Sequence, residues 1–317
     1  MNMTYTIFSS PLQGITDFRF RNTYQKYFGG IAAYYAPYIR LQGPLEIKAS
    51  EKRDILPENN KGTALVPQVM TNDADEFLFV ANEVKKLGYN ELNWNLGCPY
   101  PMVTNRNLGA GLLNDPKRIS EILKKVNAKS DITVSVKMRL GNINPDEIFK
   151  VLPVLESLSL KHIIIHPRTA RQMYKDDVNL SAFKRCTEST SHTIVYNGDI
   201  TTVKGFQEIS ARVPSVTNWM IGRGMVSDPF LPDMIMQNTC TYPADRTNTF
   251  KKFHDSLFDE YEKALSGESH LLMKMWTLWE YFATAFTNPH KGLKKIKKAK
   301  SIDAYHAGVM EVLNAEK

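Results

Sequence analysis

Short runs rich in β-branched and aromatic residues alternate with longer stretches whose apolar positions recur at helical spacing, and the alternation continues to about residue 240. The pattern predicts strands near Thr6–Ser10, Ile31–Tyr38, Ala64–Val69, Glu91–Asn95, Thr133–Met138, His162–His166, Thr193–Asn197 and Asn218–Gly222. Amphipathic stretches such as Asp73–Leu87, Ile119–Val126, Pro145–Leu158 and Val203–Ile209 separate several of them. Strands alternating with helices in this way predict an α/β fold, a closed parallel (β/α)8 TIM barrel. An open doubly wound sheet is the competing architecture, but no GxGxxG run opens the first helix.

After Pro243 the strand-like runs stop. Phe253, Leu257, Tyr261 and Leu265 share one helical face, and Leu272, Trp276, Trp279, Phe282 and Phe286 follow at the same period. A lysine-rich stretch comes next, then a final helix over 301–313. We therefore expect a catalytic barrel over residues 1–243 and a small helical domain over 244–317. Trp276, Trp279 and Phe282 are expected to form the core of that domain rather than a stacking platform for bases.

Composition adds little beyond a soluble globular chain, with 43% hydrophobic and 23% charged residues. No apolar run approaches the roughly 20 residues of a membrane helix. The first residues carry neither a basic segment nor a small-residue cleavage site, so no secretory signal is expected. Cys98, Cys186 and Cys240 share no CxxC spacing, which predicts no zinc site, no disulfide framework and a reducing, cytoplasmic setting. Cys186 and Cys240 are expected to be structural. His166 has no HxH partner and no carboxylate cluster beside it, which argues against a metal-dependent barrel hydrolase. The formal net charge of +7 suggests an anionic partner. Lys291, Lys294, Lys295, Lys297, Lys298 and Lys300 crowd one segment, either as a phosphate-binding face or as a solvated one.

Candidate chemistry gathers where the strands end. Cys98 sits in a Gly97/Pro99 turn directly after a strand, where a thiol can be presented to a ligand rather than packed. Beside it on the same rim the pattern places Pro11, Leu12, Gln13, Gln68, Asn95, Lys137, Arg139, His166, Arg168 and Thr169. The last two strands end in Asn197-Gly198-Asp199 and Gly222-Arg223-Gly224, whose glycines let backbone N–H groups approach a phosphate while Arg223 adds charge. A flavin mononucleotide (FMN) anchored there would reach Gln68 with its uracil-like edge, and Lys137 would sit where negative charge develops on reduction. A Schiff-base role for Lys137 is the alternative, but nothing selects a carbonyl substrate.

Taken together the motifs resemble the tRNA-dihydrouridine synthase family over nearly the whole chain. The resemblance rests on Ser10-Pro11-Leu12-Gln13-Gly14-Ile15-Thr16-Asp17, Gln68, Asn95-Leu96-Gly97-Cys98-Pro99 and Gly109-Ala110-Gly111-Leu112-Leu113. It continues through Ser135-Val136-Lys137-Met138-Arg139-Leu140-Gly141, His166-Pro167-Arg168-Thr169 with Gln172 and Tyr174, Asn197-Gly198-Asp199-Ile200 and Ile221-Gly222-Arg223-Gly224. Two positions depart from the family's usual pattern: Ser10-Pro11-Leu12 replaces Ala-Pro-Met, and Pro167 replaces a glycine.

The resemblance implies FMN as bound cofactor, NADPH as reductant and tRNA as partner, with the C5–C6 bond of specific uridines reduced to 5,6-dihydrouridine. By the same resemblance Cys98 protonates C5 after hydride reaches C6. Cofactor contacts are expected from Pro11, Leu12, Gln13, Gln68, Lys137, His166, Asn197, Gly198, Asp199, Gly222 and Arg223. Substrate contacts are expected from Asn95, Arg139, Arg168, Lys291, Lys294 and Lys295, with Arg40 and Arg106 as further rim contacts. The target base would have to leave its stack, and a monomer is expected. The competing functions are a small-molecule FMN oxidoreductase resembling dihydroorotate dehydrogenases, and a non-catalytic RNA-binding flavoprotein.

Overall fold

The computed structural model describes residues 5–316, so Met1 to Thr4, part of the sequence examined for a secretory signal, and Lys317 lie outside the described residues. Nine strand segments, all paired in parallel, run β1 (Thr6–Ser9), β2 (Ala33–Tyr35), β3 (Leu65–Val66), β4 (Gln68–Val69), β5 (Glu91–Leu96), β6 (Thr133–Gly141), β7 (Leu160–Thr169), β8 (Ile194–Tyr196) and β9 (Asn218–Ile221). Their spatial order is β3-β2-β1-β9-β8-β7-β6-β5-β4. The two ends of that order are adjacent in sequence: β3 and β4 are one strand interrupted at Pro67, which cannot donate to a ladder. Pro67 instead accepts from Asn93 N at 2.9 Å, and Ile39 bridges to Val69. The sheet is thereby closed into the TIM barrel that the strand and helix alternation predicts.

Two strands run further than their apolar cores suggest. β6 extends to Gly141 and β7 to Thr169, so Arg139 and Arg168 stand within strands, as Lys137 and His166 do, rather than in the loops after them. Alternation then dictates their direction. Glu91, Asn93 and Asn95 occupy every second position of β5, as Ser135, Lys137 and Arg139 do on β6, and His162, His166 and Arg168 share one alternating set on β7 with Ile164. One part of the barrel interior is apolar, with Phe8, Tyr35, Val66, Ile164, Val195 and Met220 packed together. The other part is a column of polar side chains rising to the mouth.

From Arg246 onward the described chain is helical: Arg246–Glu262, Glu268–Phe282, Pro289–Lys298 and Ile302–Asn314. Trp279 and Phe282 are buried in this unit as expected, Trp276 is half-buried, and Trp279 Nε1 donates to Tyr305 Oη at 2.9 Å. The helices are packed directly on the barrel. Phe253 meets Phe20 of the Phe18–Tyr27 helix edge-on, and Tyr27 Oη lies 2.6 Å from Ser256 Oγ. Tyr261 donates to Asp17 at 2.8 Å, and Lys274 to the Gly14 carbonyl at 2.7 Å. The helical unit thus holds the loop after β1, which forms one wall of the barrel mouth. No helix is long and apolar enough to cross a membrane among the described residues.

Candidate active site

The turn after β5 is shaped by Asn95. Its Oδ1 accepts from both Gly97 N and Cys98 N at 3.0 Å, and its Nδ2 donates to Gln68 Oε1 at 2.8 Å. Arg139 locks the same turn from the neighbouring strand: Nε donates to Gly97 O at 3.0 Å, and Nη1 to Thr169 O and Met173 O at 2.8 and 2.7 Å. The Gly109 to Leu113 segment closes beneath it, with Ala110 N donating to Cys98 O. Gly109 has a positive φ of 54°, and a Cβ there would lie 2.8 Å from the Cys98 backbone oxygen and Cβ. Cys98 is consequently almost covered, packed with Met70, Val103 and Leu108 against Tyr38. Burial pushes its thiol up, against the opposing pull of the Tyr100 backbone and Arg139. Sulfur at this position keeps its proton at neutral pH.

Facing the thiol across a shared cavity are Pro11, Leu12, Gln13, Gln68, Asn95, Lys137, Arg139, His166, Tyr174 and Arg223. Lys137 is surrounded by protein, yet its ammonium group faces the cavity. Burial, reinforced by Arg139, lowers its pKa to about 7. His166 is held neutral by burial and by Arg139, Lys137, Arg168 and Arg223 around it. Its Nε2 lies 3.2 Å from Arg168 Nη1. A guanidinium can only donate, so Nε2 accepts and the ring proton resides on Nδ1.

The cavity continues towards the loops after β8 and β9, where it is lined by Ser10, Asn197, Gly198, Asp199, Gly222, Arg223 and Gly224. Close backbone approach makes these glycines necessary. A Cβ on Gly224 would stand 2.0 Å from Ile200 O, and one on Gly222 would stand 3.2 Å from Ser10 Cβ. Asp199 adopts a positive φ of 43° and is clamped between Arg168 and Arg223, the latter at 2.9 Å. Burial raises its carboxyl, but the two guanidinium groups outweigh that and hold it below its ordinary value.

All of the sequence-predicted cofactor residues therefore line one continuous mouth. Among the predicted substrate contacts, Asn95 and Arg139 also line it. Arg168 does not: both its faces are occupied by Asp199 and by the Lys175 and Asp176 carbonyls, so it braces the wall from behind. This corrects its expected place among residues exposed to substrate. Lys291 and Lys294 are exposed on the Pro289–Lys298 helix, whereas Lys295 is paired with Glu311 and Lys297 with Glu280. Sequence reasoning missed Tyr38, Tyr100 and Tyr281, which join Tyr174 at the mouth. Tyr281 arrives from the Glu268–Phe282 helix, and no local pattern in the sequence signals that approach. Among the described residues no cluster of three His, Cys, Asp or Glu side chains is arranged to hold a metal ion.

A TIM barrel with a protonated thiol over a cation-rich cavity defines a barrel enzyme whose ligand carries anionic and hydrogen-bonding groups. The family model described as dihydrouridine synthase matches residues 8–306, and the chain belongs to that oxidoreductase family. It is 28% identical over 279 residues to tRNA-dihydrouridine(16) synthase of Cupriavidus necator, covering 85% of this chain and 86% of that protein. It is 29% identical over 232 residues to tRNA-dihydrouridine synthase B of Pasteurella multocida, covering 71% and 67%. Among solved structures, morphinone reductase has a TM-score of 0.52 at 9% identity, covering 77% of this chain and 88% of that one. The old yellow enzyme of Trypanosoma cruzi has a TM-score of 0.52 at 12% identity, covering 77% and 91%. These two likenesses concern the fold.

Proposed function

We propose that the protein reduces the C5–C6 double bond of uridines in tRNA, using bound FMN and NADPH as reductant. The observation that carries this reading is the protonated Cys98 thiol sharing one cavity with Lys137, His166 and the glycine-and-arginine loops after β8 and β9. The residues present fit an FMN. Lys137, Arg139, Arg168 and Arg223 all act on His166 at the centre of the mouth, and the Asp199 carboxylate is the counter-charge paired within this group. The surplus of positive charge suits a phosphate at the Gly198 and Gly222–Gly224 end. It also suits negative charge on a reduced ring near Lys137.

Bound there, FMN would supply the hydride for reduction of the uracil ring. Cys98 supplies the other half of the reduction by moving its Sγ proton to C5, leaving a thiolate that solvent reprotonates. A thiol raised by burial suits a general acid, since it holds its proton at working pH. Asn95 orients the turn carrying that thiol and keeps one Nδ2 hydrogen for the base. His166 offers its Nδ1 proton as a donor, and Tyr174 stacks beside that ring at 6.1 Å. Asn197, which donates to Met220 O at 2.8 Å, holds the β8 loop against β9 at the phosphate end. The helical unit from residue 244 onward would orient the tRNA, with the exposed Lys291 and Lys294 meeting its backbone.

The test is incubation of purified protein with NADPH and tRNA lacking dihydrouridine, with product scored by mass spectrometry of nuclease digests. Wild type should form dihydrouridine and Cys98→Ala should lose activity by at least about a hundredfold. If wild type binds a flavin that NADPH reduces but forms no product, tRNA is not the substrate and a free pyrimidine becomes the favoured one.

A further inference from the structure

The mouth is tied to the opposite end of the barrel by an unbroken line of side-chain hydrogen bonds. At the floor, Glu91 pairs with Lys161 at 2.5 Å and accepts from Ser135 Oγ at 2.7 Å. Ser135 Oγ in turn accepts from Asn93 Nδ2 at 2.9 Å, and Asn93 Oδ1 accepts from Gln68 Nε2 at 2.7 Å. Gln68 Oε1 accepts from Asn95 Nδ2, and Asn95 Oδ1 accepts from the Gly97 and Cys98 backbone. Ser135, Asn93 and Gln68, the middle of the line, are wholly buried. Four residue steps along the strand take the line from Glu91 to Asn95, about 13 Å at the usual rise.

The line has one permitted direction. A carboxylate can only accept, so Ser135 must donate to it and must itself accept from Asn93. The backbone N–H groups of Gly97 and Cys98 can only donate, which fixes Asn95 from the other end. Both termini impose the same orientation on every amide between them. On the two amides that line the cavity, the hydrogens left over, one on Asn95 Nδ2 and one on Gln68 Nε2, are therefore donors. A donor edge suits the two carbonyl oxygens of a pyrimidine-2,4-dione, the ring shared by uracil and the flavin edge.

We infer that Glu91 and Ser135 are positioning residues for the reaction, acting from the barrel floor through Asn93, Gln68 and Asn95 to set the donor polarity of the mouth and to hold the Cys98 turn. The inference rests on the proposed function for its substrate, but not for its effect on the thiol. Cutting the line at Ser135 leaves Asn93 Nδ2 without an acceptor, and each amide above it gains freedom to rotate. Replacing Glu91 with glutamine supplies a group that can donate or accept, and the floor no longer imposes a direction.

Ser135→Ala and Glu91→Gln should each lower kcat for dihydrouridine formation about tenfold, with the KM for tRNA within about twofold. In the absence of tRNA and NADPH, alkylation of Cys98 by iodoacetamide, followed on its own peptide, should quicken several-fold in both variants. Ser135→Thr, which keeps the hydroxyl, should restore both quantities towards wild type. If Ser135→Ala does not fold, Glu91→Gln decides by the same readouts. Unchanged Cys98 alkylation together with unchanged kcat in a folded variant would overturn the inference. Faster alkylation from a protein whose wild type forms no dihydrouridine would instead uphold the positioning line and reject the substrate.

Discussion

Lys137 and Cys98 face one cavity, and burial moves their protonation in opposite senses: it favours the neutral amine of one and the neutral thiol of the other. For Cys98 that preserves the proton to be delivered. For Lys137, at about 7, it places a charge change within the working range. Below that pH the free protein presents an ammonium group to the cavity, and above it an amine. FMN bound in this cavity would bring its phosphate charge and the acceptor oxygens of its ring to the Lys137 side chain, stabilising the ammonium form and raising its pKa. Affinity for FMN should therefore weaken as pH rises from about 7 towards the higher pKa of the complex. Lys137→Met should bind FMN about tenfold more weakly at acidic pH, with the gap closing as pH rises. Flavin fluorescence titration of apoprotein at a series of pH values measures this directly. A pH-independent deficit would show that the ammonium charge is not what binds. Sequence alone places Lys137 and Cys98 on one rim, but their shifted protonation depends chiefly on burial in the assembled barrel, with Arg139 acting on both. Arg168 illustrates the same limit, since nothing in its own segment reveals that Asp199, thirty-one positions later, occupies it.

At the scale of elements, the strands are legible because a buried parallel strand is a short apolar run bounded by turn residues, and each predicted run overlaps an observed strand. The ends are less legible. β6 and β7 continue through charged residues because those charges point into a polar barrel mouth instead of solvent. The Phe18–Tyr27 helix escaped prediction because its buried face includes Arg21 and Thr23 as well as Phe20 and Tyr24. Arg21 Nη1 and Nη2 donate to Thr16 O, Asp54 and Asn60, all brought to them by the fold. The loops after β8 and β9 were legible as glycine-rich, while their mutual contact was not. Gly224 lies so close to Ile200 O that any side chain must part the two loops. Gly224→Ala should lower stability by about 1–3 kcal/mol, as overpacking does. It should also weaken FMN retention more than Lys137→Met does at alkaline pH, because it displaces the phosphate end as a unit. Thermal unfolding and flavin stoichiometry after gel filtration distinguish this from a purely local change, which would alter neither.

On the scale of the molecule, the helical unit does two things that a barrel alone does not. Through Lys274 and Tyr261 it fixes the loop after β1, and through Tyr281 it contributes an aromatic side chain to the mouth. The same unit carries the Pro289–Lys298 helix, where Lys291, Lys294 and Lys298 fall at i, i+3 and i+7 on one exposed face. The ion pairs of Lys295 with Glu311 and of Lys297 with Glu280 direct those two side chains to neighbouring helices. The three remaining lysines are the ones available to a phosphate backbone, a distinction between neighbours that the run of lysines alone does not make. Changing all three to glutamine removes three positive charges from the face proposed to meet tRNA. If each neutralises one phosphate, the slope of log affinity against log salt should fall by about 2–3 units, and affinity near physiological salt should drop by one to two orders of magnitude. NADPH oxidation with a small electron acceptor should continue at the wild-type rate, because the helix does not line the cavity proposed to hold FMN. Lys295→Gln alone should change the salt slope far less than one unit, since its charge is already balanced by Glu311. Equal effects for Lys295→Gln and each of the other single substitutions would mean that the ion pair opens on binding, and that the whole segment meets the RNA as one charged surface.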